Sequence, residues 1–181
     1  TKGKIIDYVQ QPIKRRGIHV KAIKQLFNLI VEKTKRGEKS YFFCGSKRLA
    51  DEFTKILDGL GNIKYLYYNR DMKKATRDTM KDVMTSWSEV DVVITTPCVT
   101  VGINYELERI PGGWLPKHQF DAAYVYVSNQ GCCPRDIMQS ICRVRSYKSN
   151  DVYFTFADSC TRQETAVTND MVNASVEARL Q

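Results

Sequence analysis

Five short apolar segments, rich in aromatic and β-branched residues, recur along this chain of 181 residues. They span residues 40–44, 63–68, 91–95, 120–127 and 151–156, and successive starts lie 23 to 31 residues apart. A strand, a crossing helix and their connections take roughly 30 residues, so this spacing is typical of repeated βαβ units. Uninterrupted apolar runs such as 124–127 indicate strands that helices cover on both faces. The sequence therefore predicts an α/β fold with a doubly wound, mostly parallel sheet flanked by helices.

The segments between the predicted strands mostly carry the apolar periodicity of helices. We expect helices over residues 18–36, with Gly37 as the C-cap, over 47–57, and from an N-cap at Asp71 to about Trp87. Residues 102–117 contain Pro-Gly-Gly and are predicted to form a long surface loop. The expected organisation is a lead-in with the first helix (1–38), a core domain (39–160) and a C-terminal helical extension (161–181).

The charge balance favours a polyanionic partner such as nucleic acid, because the chain carries a formal net charge of +8 and a pI near 9.2. Basic residues cluster within 14–48, 70–81 and 135–148, near the predicted ends of elements, where sheet proteins bind ligands. No apolar run approaches the roughly 18 residues of a membrane span, and residues 1–10 lack the features of a secretory signal. We expect an intracellular protein that does not associate with membranes.

Six cysteines and two histidines give no Cys-x-x-Cys pair and no zinc-ligand spacing, so no metal site is expected. The cysteines are interpreted as reduced intracellular thiols. Cys44 ends a predicted buried strand, where it is expected to act as a small apolar side chain.

The first candidate site is the turn Cys44-Gly45-Ser46-Lys47, where a strand ends and a helix begins. Free N–H groups and the helix dipole at such a turn attract a phosphate, to which Ser46 would add a hydroxyl and Lys47 a charge. The lysine follows no Gly-x-x-x-x-Gly pattern, so the turn is not a Walker A loop. The alternative is an ordinary strand-to-helix turn.

The second candidate site follows the third predicted strand. Thr95 and Thr96 leave the strand, and Gly102 and Asn104 come shortly afterwards. Threonine hydroxyls can hold a backbone phosphate, and a glycine lets the main chain approach a ligand closely. The alternative is a turn whose threonines cap the next element.

The third candidate site is the basic segment 139–145, Gln-Ser-Ile-Cys-Arg-Val-Arg. Pro134 suits the first position of a helix, and Gln139 and Arg143 stand four residues apart, so we expect both on one helical face. Arg145 would point elsewhere. Guanidinium groups near the carboxyl end of a strand favour a phosphate-bearing ligand or nucleic acid, whereas the alternative is a solvated basic helix face.

Taken in order, these three segments resemble motifs IV, V and VI of superfamily 2 helicases. The resemblance covers about residues 40–156 and matches the second RecA-like domain of the motor. Within the superfamily the chain looks most similar to origin-binding-protein helicases of large DNA viruses, through Thr-Thr-Pro-x-Val-x-x-Gly-Ile-Asn-Tyr and Gln-x-x-x-Arg-Val-Arg.

The resemblance implies a role for each motif. It assigns nucleic-acid contacts to the first two motifs and the nucleotide-facing end to the second, as follows: Ser46, Lys47, Thr95 and Thr96 for nucleic acid, Gly102 and Asn104 for nucleotide. Gln139 and Arg143 match the start of motif VI and its first arginine, which approaches the γ-phosphate of ATP. The common pattern has its second arginine where this chain has Ser146, and Arg145 lies one residue earlier, so either arginine can be the finger. Cys142 replaces the usual glycine.

The resemblance further implies the C-terminal motor domain of an ATP-dependent DNA helicase for viral genome replication, acting in the host cytoplasm or nucleus. Its partners would be single-stranded or partly duplex DNA and the N-terminal RecA-like domain of the same protein. The chain has no Gly-Lys-Thr phosphate loop and no Asp-Glu-x-His or Asp-Glu-Ala-Asp box, so that other domain would hold Mg²⁺ and the phosphates of ATP. This chain would hold only half of the active site, and it is expected to be inactive alone.

A second interpretation is a RecA-like module that binds nucleic acid or a protein partner without driving hydrolysis. The departures at Cys142 and Ser146 favour it, while the order of the three motifs favours the helicase. A dinucleotide-dependent enzyme is excluded by the absence of Gly-x-Gly-x-x-Gly after the first strand.

Overall fold

A six-stranded parallel sheet forms the centre of the computed structural model, which describes residues 15–98, 105, 109–110, 113–114, 119–128, 133–145 and 147–157. The strands are β1 (Arg16–His19), β2 (Ser40–Cys44), β3 (Tyr65–Tyr68), β4 (Val92–Thr95), β7 (Ala122–Val127) and β8 (Asp151–Phe156), and a separate hairpin pairs β5 (Arg109–Ile110) with β6 (Gly113–Trp114). The helices are α1 (Ile23–Lys35), α2 (Lys47–Leu60), α3 (Lys74–Asp78), α4 (Val83–Ser88) and α5 (Pro134–Ile141).

The strand order is β1-β8-β7-β2-β4-β3, with every neighbouring pair parallel. The connection that leaves β2 runs to β3 on one side, and the connection that leaves β7 runs to β8 on the other, so the strand order reverses between β2 and β7. In open α/β sheets the ligand site lies at the carboxyl ends of the strands at such a reversal. The predicted fold class is confirmed, and all five predicted strands are present.

Helices cover both faces of the sheet, and each face has its own apolar core. On one face α1 and α2 pack through Leu26, Ile30 and Phe53 against the strands, and on the other α4 and α5 pack through Trp87 and Ile141. This double cover explains why β2 and β4 are buried along their whole length.

The prediction for the first helix was wrong at its start, because residues 16–19 form the edge strand β1 and the helix begins only at Ile23. β1 is short and mostly exposed, so it lacks the apolar run that marks the other strands. Gly37 follows the helix with a φ of 83°, the left-handed conformation expected of a glycine that ends a helix. β1 pairs with β8, so residues 16–35 belong to the same sheet assembly as the core. The domain limits at 38 and 160 stay a prediction.

The predicted third helix is broken into α3, a 3-10 turn (Thr79–Asp82) and α4. Asp71 is not its N-cap, because α3 begins after Lys73, whereas the Asp82 side chain accepts a hydrogen bond from Thr85 N and caps α4. At the break, the Thr79 hydroxyl lies 2.6 Å from the carbonyl oxygen of Thr76 and 2.8 Å from the hydroxyl of Tyr68. A threonine that hydrogen-bonds to its own preceding turn weakens a helix.

The described helices include none long and apolar enough to cross a membrane, and α2, with 14 residues, is the longest of them. The loop predicted over 102–117 contains the β5–β6 hairpin. The closing helix predicted over 161–181 lies outside the described residues.

Candidate functional site

The turn between β2 and α2 is held closely against the end of β7. Gly45 N donates to the carbonyl oxygen of Tyr126 at 2.9 Å, and the Ser128 hydroxyl donates to the carbonyl oxygen of Gly45 at 2.7 Å. A Cβ atom at position 45 would lie 2.9 Å from the carbonyl oxygen of Tyr126, which is backbone and cannot rotate away. Glycine is therefore required here by the packing of the two strands.

Ser46 is the N-cap of α2, and its hydroxyl accepts a long hydrogen bond of 3.5 Å from Leu49 N. Lys47 follows at the first helical position, with its side chain 2.9 Å from Asp51 and 3.4 Å from Asp71. The hydrogen bond to Asp51 raises the pKa of Lys47, and the side chain remains 43% exposed. This solvent-facing lysine at a helix N-terminus can reach a phosphate, which would compete with the two carboxylates.

Thr95 and Thr96, both predicted to contact nucleic acid, have buried side chains. The Thr95 hydroxyl lies 3.0 Å from the hydroxyl of Tyr41, and the Thr96 hydroxyl donates to the carbonyl oxygen of Tyr68 at 3.2 Å. Both hydroxyls therefore stabilise the strand ends from inside, and neither faces solvent in this arrangement. Their participation in nucleic-acid binding stays a prediction.

Tyr41 sits at the junction of β2, β4 and α5. Its hydroxyl lies 3.0 Å from that of Thr95 and 2.9 Å from that of Ser140, and all three side chains are buried. Burial raises the pKa of Tyr41, while the hydrogen bonds to Ser140 and Thr95 and the nearby charge of Arg143 lower it. We call these three side chains the hydroxyl cluster.

Helix α5 begins at Pro134, as predicted, and Cys133 N donates to the Asp136 carboxylate at 3.2 Å. It ends at Ile141, so the expectation that Gln139 and Arg143 share one helical face was wrong. Gln139 is exposed in the last helical turn, whereas Arg143 lies in the turn that follows and is half-buried.

The helix ends early because the chain turns to pair with Tyr105. Tyr105 N donates to the carbonyl oxygen of Arg143 at 2.7 Å, and Arg145 N donates to the carbonyl oxygen of Tyr105 at 2.9 Å. Val144, between the two arginines, is fully buried beneath this bridge. Two backbone hydrogen bonds and a buried valine thus fix the arginine segment.

Tyr105, the residue after Asn104 in the sequence, therefore pairs with the third candidate segment. Gly102, Asn104 and Ser146 lie outside the described residues, and their predicted roles stay predictions. The structure brings Thr95 and Ser140 to the hydroxyl of Tyr41, with Arg143 N bonded to the carbonyl oxygen of Ser140, and it places Ser46 and Lys47 directly after β2, at the start of α2.

Sequence reasoning missed Tyr41, Ser140 and Tyr105. One signal was available, since Tyr41 is a tyrosine in a strand that otherwise reads as wholly buried, and a buried hydroxyl requires a hydrogen-bond partner. No feature of the sequence indicates which residue that partner is.

Three solved structures share this fold. The C-terminal part of the Fun30 ATPase domain matches with a TM-score of 0.51 and 15% identity over 87% of this chain and 52% of that one. The C-terminal domain of the DEAD-box protein Dbp5 matches with a TM-score of 0.50 and 17% identity over 92% and 84%. A variant of Dbp5 from S. cerevisiae, bound to RNA and ADP BeF3, matches with a TM-score of 0.54 and 15% identity over 92% and 39%.

The chain therefore has the fold of the C-terminal RecA-like domain of superfamily 2 helicases. It belongs to the origin of replication binding protein family, whose model matches residues 19–181. The chain spans about half the length of the Fun30 structure that it resembles. No curated protein matches its sequence significantly.

Proposed function

We propose that this chain is the C-terminal motor domain of an ATP-dependent DNA helicase that acts in viral genome replication, and that it supplies an arginine to an ATP site shared with an N-terminal RecA-like domain. The observation that carries the proposal is the pairing of Tyr105 with the arginine segment. Tyr105 comes from the segment that resembles motif V and the two arginines from the segment that resembles motif VI, and their pairing supports the proposal because α5, just before the arginines, contacts Tyr41 of β2 beside the reversal of strand order, where α/β sheets bind nucleotides.

Bound ATP supplies a γ-phosphoryl group whose transfer to water releases the free energy for domain motion. An arginine that reaches this group stabilises the charge on its oxygens, an effect on the order of 10³ to 10⁵ in rate. Arg143 is favoured over Arg145, because Arg143 is half-buried beside the hydroxyl cluster while Arg145 is exposed. A side chain that is already ordered loses less conformational entropy when it engages its ligand.

Contacts with the nucleic-acid strand are proposed to come mainly from Lys47 and the free N–H groups at the start of α2, with Ser46 completing that turn. Such contacts go to phosphates and carry no sequence preference. Thr95 and Thr96 would stabilise the carboxyl end of β4 beside this turn, since their hydroxyls form hydrogen bonds within the fold.

The test uses the complete protein and measures its DNA-stimulated ATP hydrolysis. Arg143→Ala is expected to abolish turnover while keeping nucleotide binding, and Arg145→Ala to have the smaller effect. Arg135→Ala, which removes an exposed arginine at the other end of α5, is the matched control and is expected to hydrolyse ATP normally. Full activity in both Arg143→Ala and Arg145→Ala would contradict the proposal.

The second candidate is a nucleic-acid-binding or interaction module that does not hydrolyse ATP. The departures from the common motif VI pattern at Cys142 and Ser146 favour it. Cys142 has a φ of −73° and a ψ of −3°, a conformation open to any residue, so the backbone does not require glycine there. The departure at Cys142 therefore weighs little. Nucleic-acid binding by the complete protein without any ATP hydrolysis would favour this second candidate.

A further inference from the structure

The hydroxyl cluster connects strands β2 and β4 with α5, the helix that precedes Arg143 and Arg145, and its side chains are buried. Tyr41 and Thr95 are 0% exposed and Ser140 is 3% exposed. Because the three side chains are buried, the contacts at 3.0 Å and 2.9 Å restrain the position of α5 over β2.

The hydroxyl of Tyr41 is the shared member of this cluster. It has a single proton, so it can donate to at most one of its two partners and must accept from the other. In every arrangement of the protons Tyr41 is the central member. Removing its oxygen breaks both contacts and leaves two buried hydroxyls without that partner.

Ser140 connects the hydroxyl cluster to Arg143 through its backbone. Its carbonyl oxygen accepts a hydrogen bond of 3.1 Å from Arg143 N, and the carbonyl oxygen of Arg143 is in turn held by Tyr105 N at 2.7 Å. The backbone of Arg143 is thus held from both sides.

From these contacts we infer that Tyr41 is a positioning residue for Arg143, holding it through Ser140 at the distance from the sheet that the shared ATP site requires. This inference rests on the proposed function. Tyr41 is not a catalytic residue, because it is completely buried and acts only through another side chain.

The test compares Tyr41→Phe with wild type in the complete protein, with single-stranded DNA and ATP. We expect kcat to fall on the order of tenfold, because small displacements of a catalytic group are costly. The KM for ATP should change by less than about twofold, since the effect appears only when the arginine engages the reacting phosphoryl group. Ser140→Ala is expected to show the same division between kcat and KM.

Tyr68→Phe is the matched control. The Tyr68 hydroxyl is also buried between two partners, at 2.8 Å from the Thr79 hydroxyl and 3.0 Å from the indole nitrogen of Trp87, but neither partner lies on α5. Both substitutions should lower the melting temperature, and only Tyr41→Phe should lower kcat. An equal kcat in the two variants would overturn the inference.

A double variant shows whether Tyr41 acts through Arg143. In an Arg143→Ala background, Tyr41→Phe should lower the residual kcat by less than about twofold, because residues that act as a unit are not additive. A further tenfold loss in that background would contradict the inference. Wild-type protein without DNA-stimulated hydrolysis would instead refute the proposed function, whereas normal turnover in Tyr41→Phe beside an inactive Arg143→Ala would refute the inference alone.

Discussion

Gly45 directly follows β2 and lies against the end of β7. We predict that Gly45→Ala lowers the free energy of unfolding by about 1–3 kcal/mol, because the added Cβ would meet the carbonyl oxygen of Tyr126 at 2.9 Å. Unfolding in urea, followed by circular dichroism, measures the change.

Gly59, inside α2, provides the control. A Cβ atom there would meet nothing within 4 Å, so Gly59→Ala should raise the free energy of unfolding by about 0.5–1 kcal/mol through helix propensity. Loss of stability in both variants would show that close approach is not what demands glycine at position 45.

Cys44 is distinguished from the other described cysteines by its burial, which raises its pKa to about 12. A thiol reacts as its thiolate, so at pH 8 Cys44 should stay unlabelled by a thiol reagent until the protein unfolds. Cys98, Cys133 and Cys142 are exposed and should be labelled in the native state. Peptide mass spectrometry after timed labelling measures each rate, and equal rates for Cys44 and Cys133 would contradict the prediction.

At the scale of elements, strand β1 is attached to the sheet edge by a charge pair as well as by its backbone. The Arg16 side chain donates to both carboxylate oxygens of Asp151, at 2.7 and 2.9 Å. These hydrogen bonds from Arg16 lower the pKa of Asp151 below its ordinary value. The pair is largely open to solvent on the Arg16 side, so its contribution to stability is small and salt-sensitive.

The sign of the pH dependence follows from that lowered pKa. The stabilisation is fully present above the unfolded-state pKa of about 3.9 and is lost as the pH falls through the lower folded-state value. We predict that Asp151→Asn lowers the melting temperature slightly at pH 7, and that the difference from wild type begins to shrink as the pH falls below about 3.9. A difference that stays constant from pH 7 to pH 3 would assign the effect to packing.

The element that sequence periodicity described least well is the segment of α3 and α4. Met72, Met80 and Val83 satisfy a helical pattern and do pack on the core, but the Thr79 hydroxyl bonds to the preceding turn and to Tyr68. Periodicity reports which residues face the core, and it does not report whether the backbone between them is continuous.

At the scale of the whole molecule, the proposed function makes this chain one half of an ATP site. We predict that the 181 residues alone hydrolyse no ATP, because this sequence lacks a phosphate loop and an acidic metal-binding box. A phosphate-release assay with and without single-stranded DNA measures this, and DNA-stimulated turnover by these residues would refute the half-site interpretation.

We also predict weak, salt-sensitive binding of single-stranded DNA, since phosphate contacts release counterions. Lys47→Gln should reduce the slope of log K against log salt by about one. Lys35→Gln removes an exposed lysine from the last turn of α1, which leads into the amino end of β2, whereas Lys47 follows the carboxyl end of that strand; this variant should leave the slope unchanged. Fluorescence anisotropy over a series of salt concentrations measures both slopes, and equal slopes would exclude Lys47 from the interface.

The parts of the site that sequence could predict are those that depend on local chain chemistry. Ser46 caps the helix that follows it and Pro134 begins α5, and both can be inferred from a few neighbouring residues. The end of α5 at Ile141 could not, because it depends on a backbone pairing with Tyr105, which is 36 residues away from the helix end. The hydrogen-bonded burial of Thr95 could not be predicted either, because its partner Tyr41 comes from a different strand.

The sequence by itself determined the α/β class, the five predicted strands and the order of the three motifs, because apolar spacing and turn chemistry act over a few residues to a few tens of residues. Tertiary structure alone decided that an edge strand joins at β1, that Thr95 faces Tyr41, and that Arg143 rather than Arg145 is half-buried. These features arise where separate strands and helices meet, and the hydrogen bonds that create them join residues far apart in the chain.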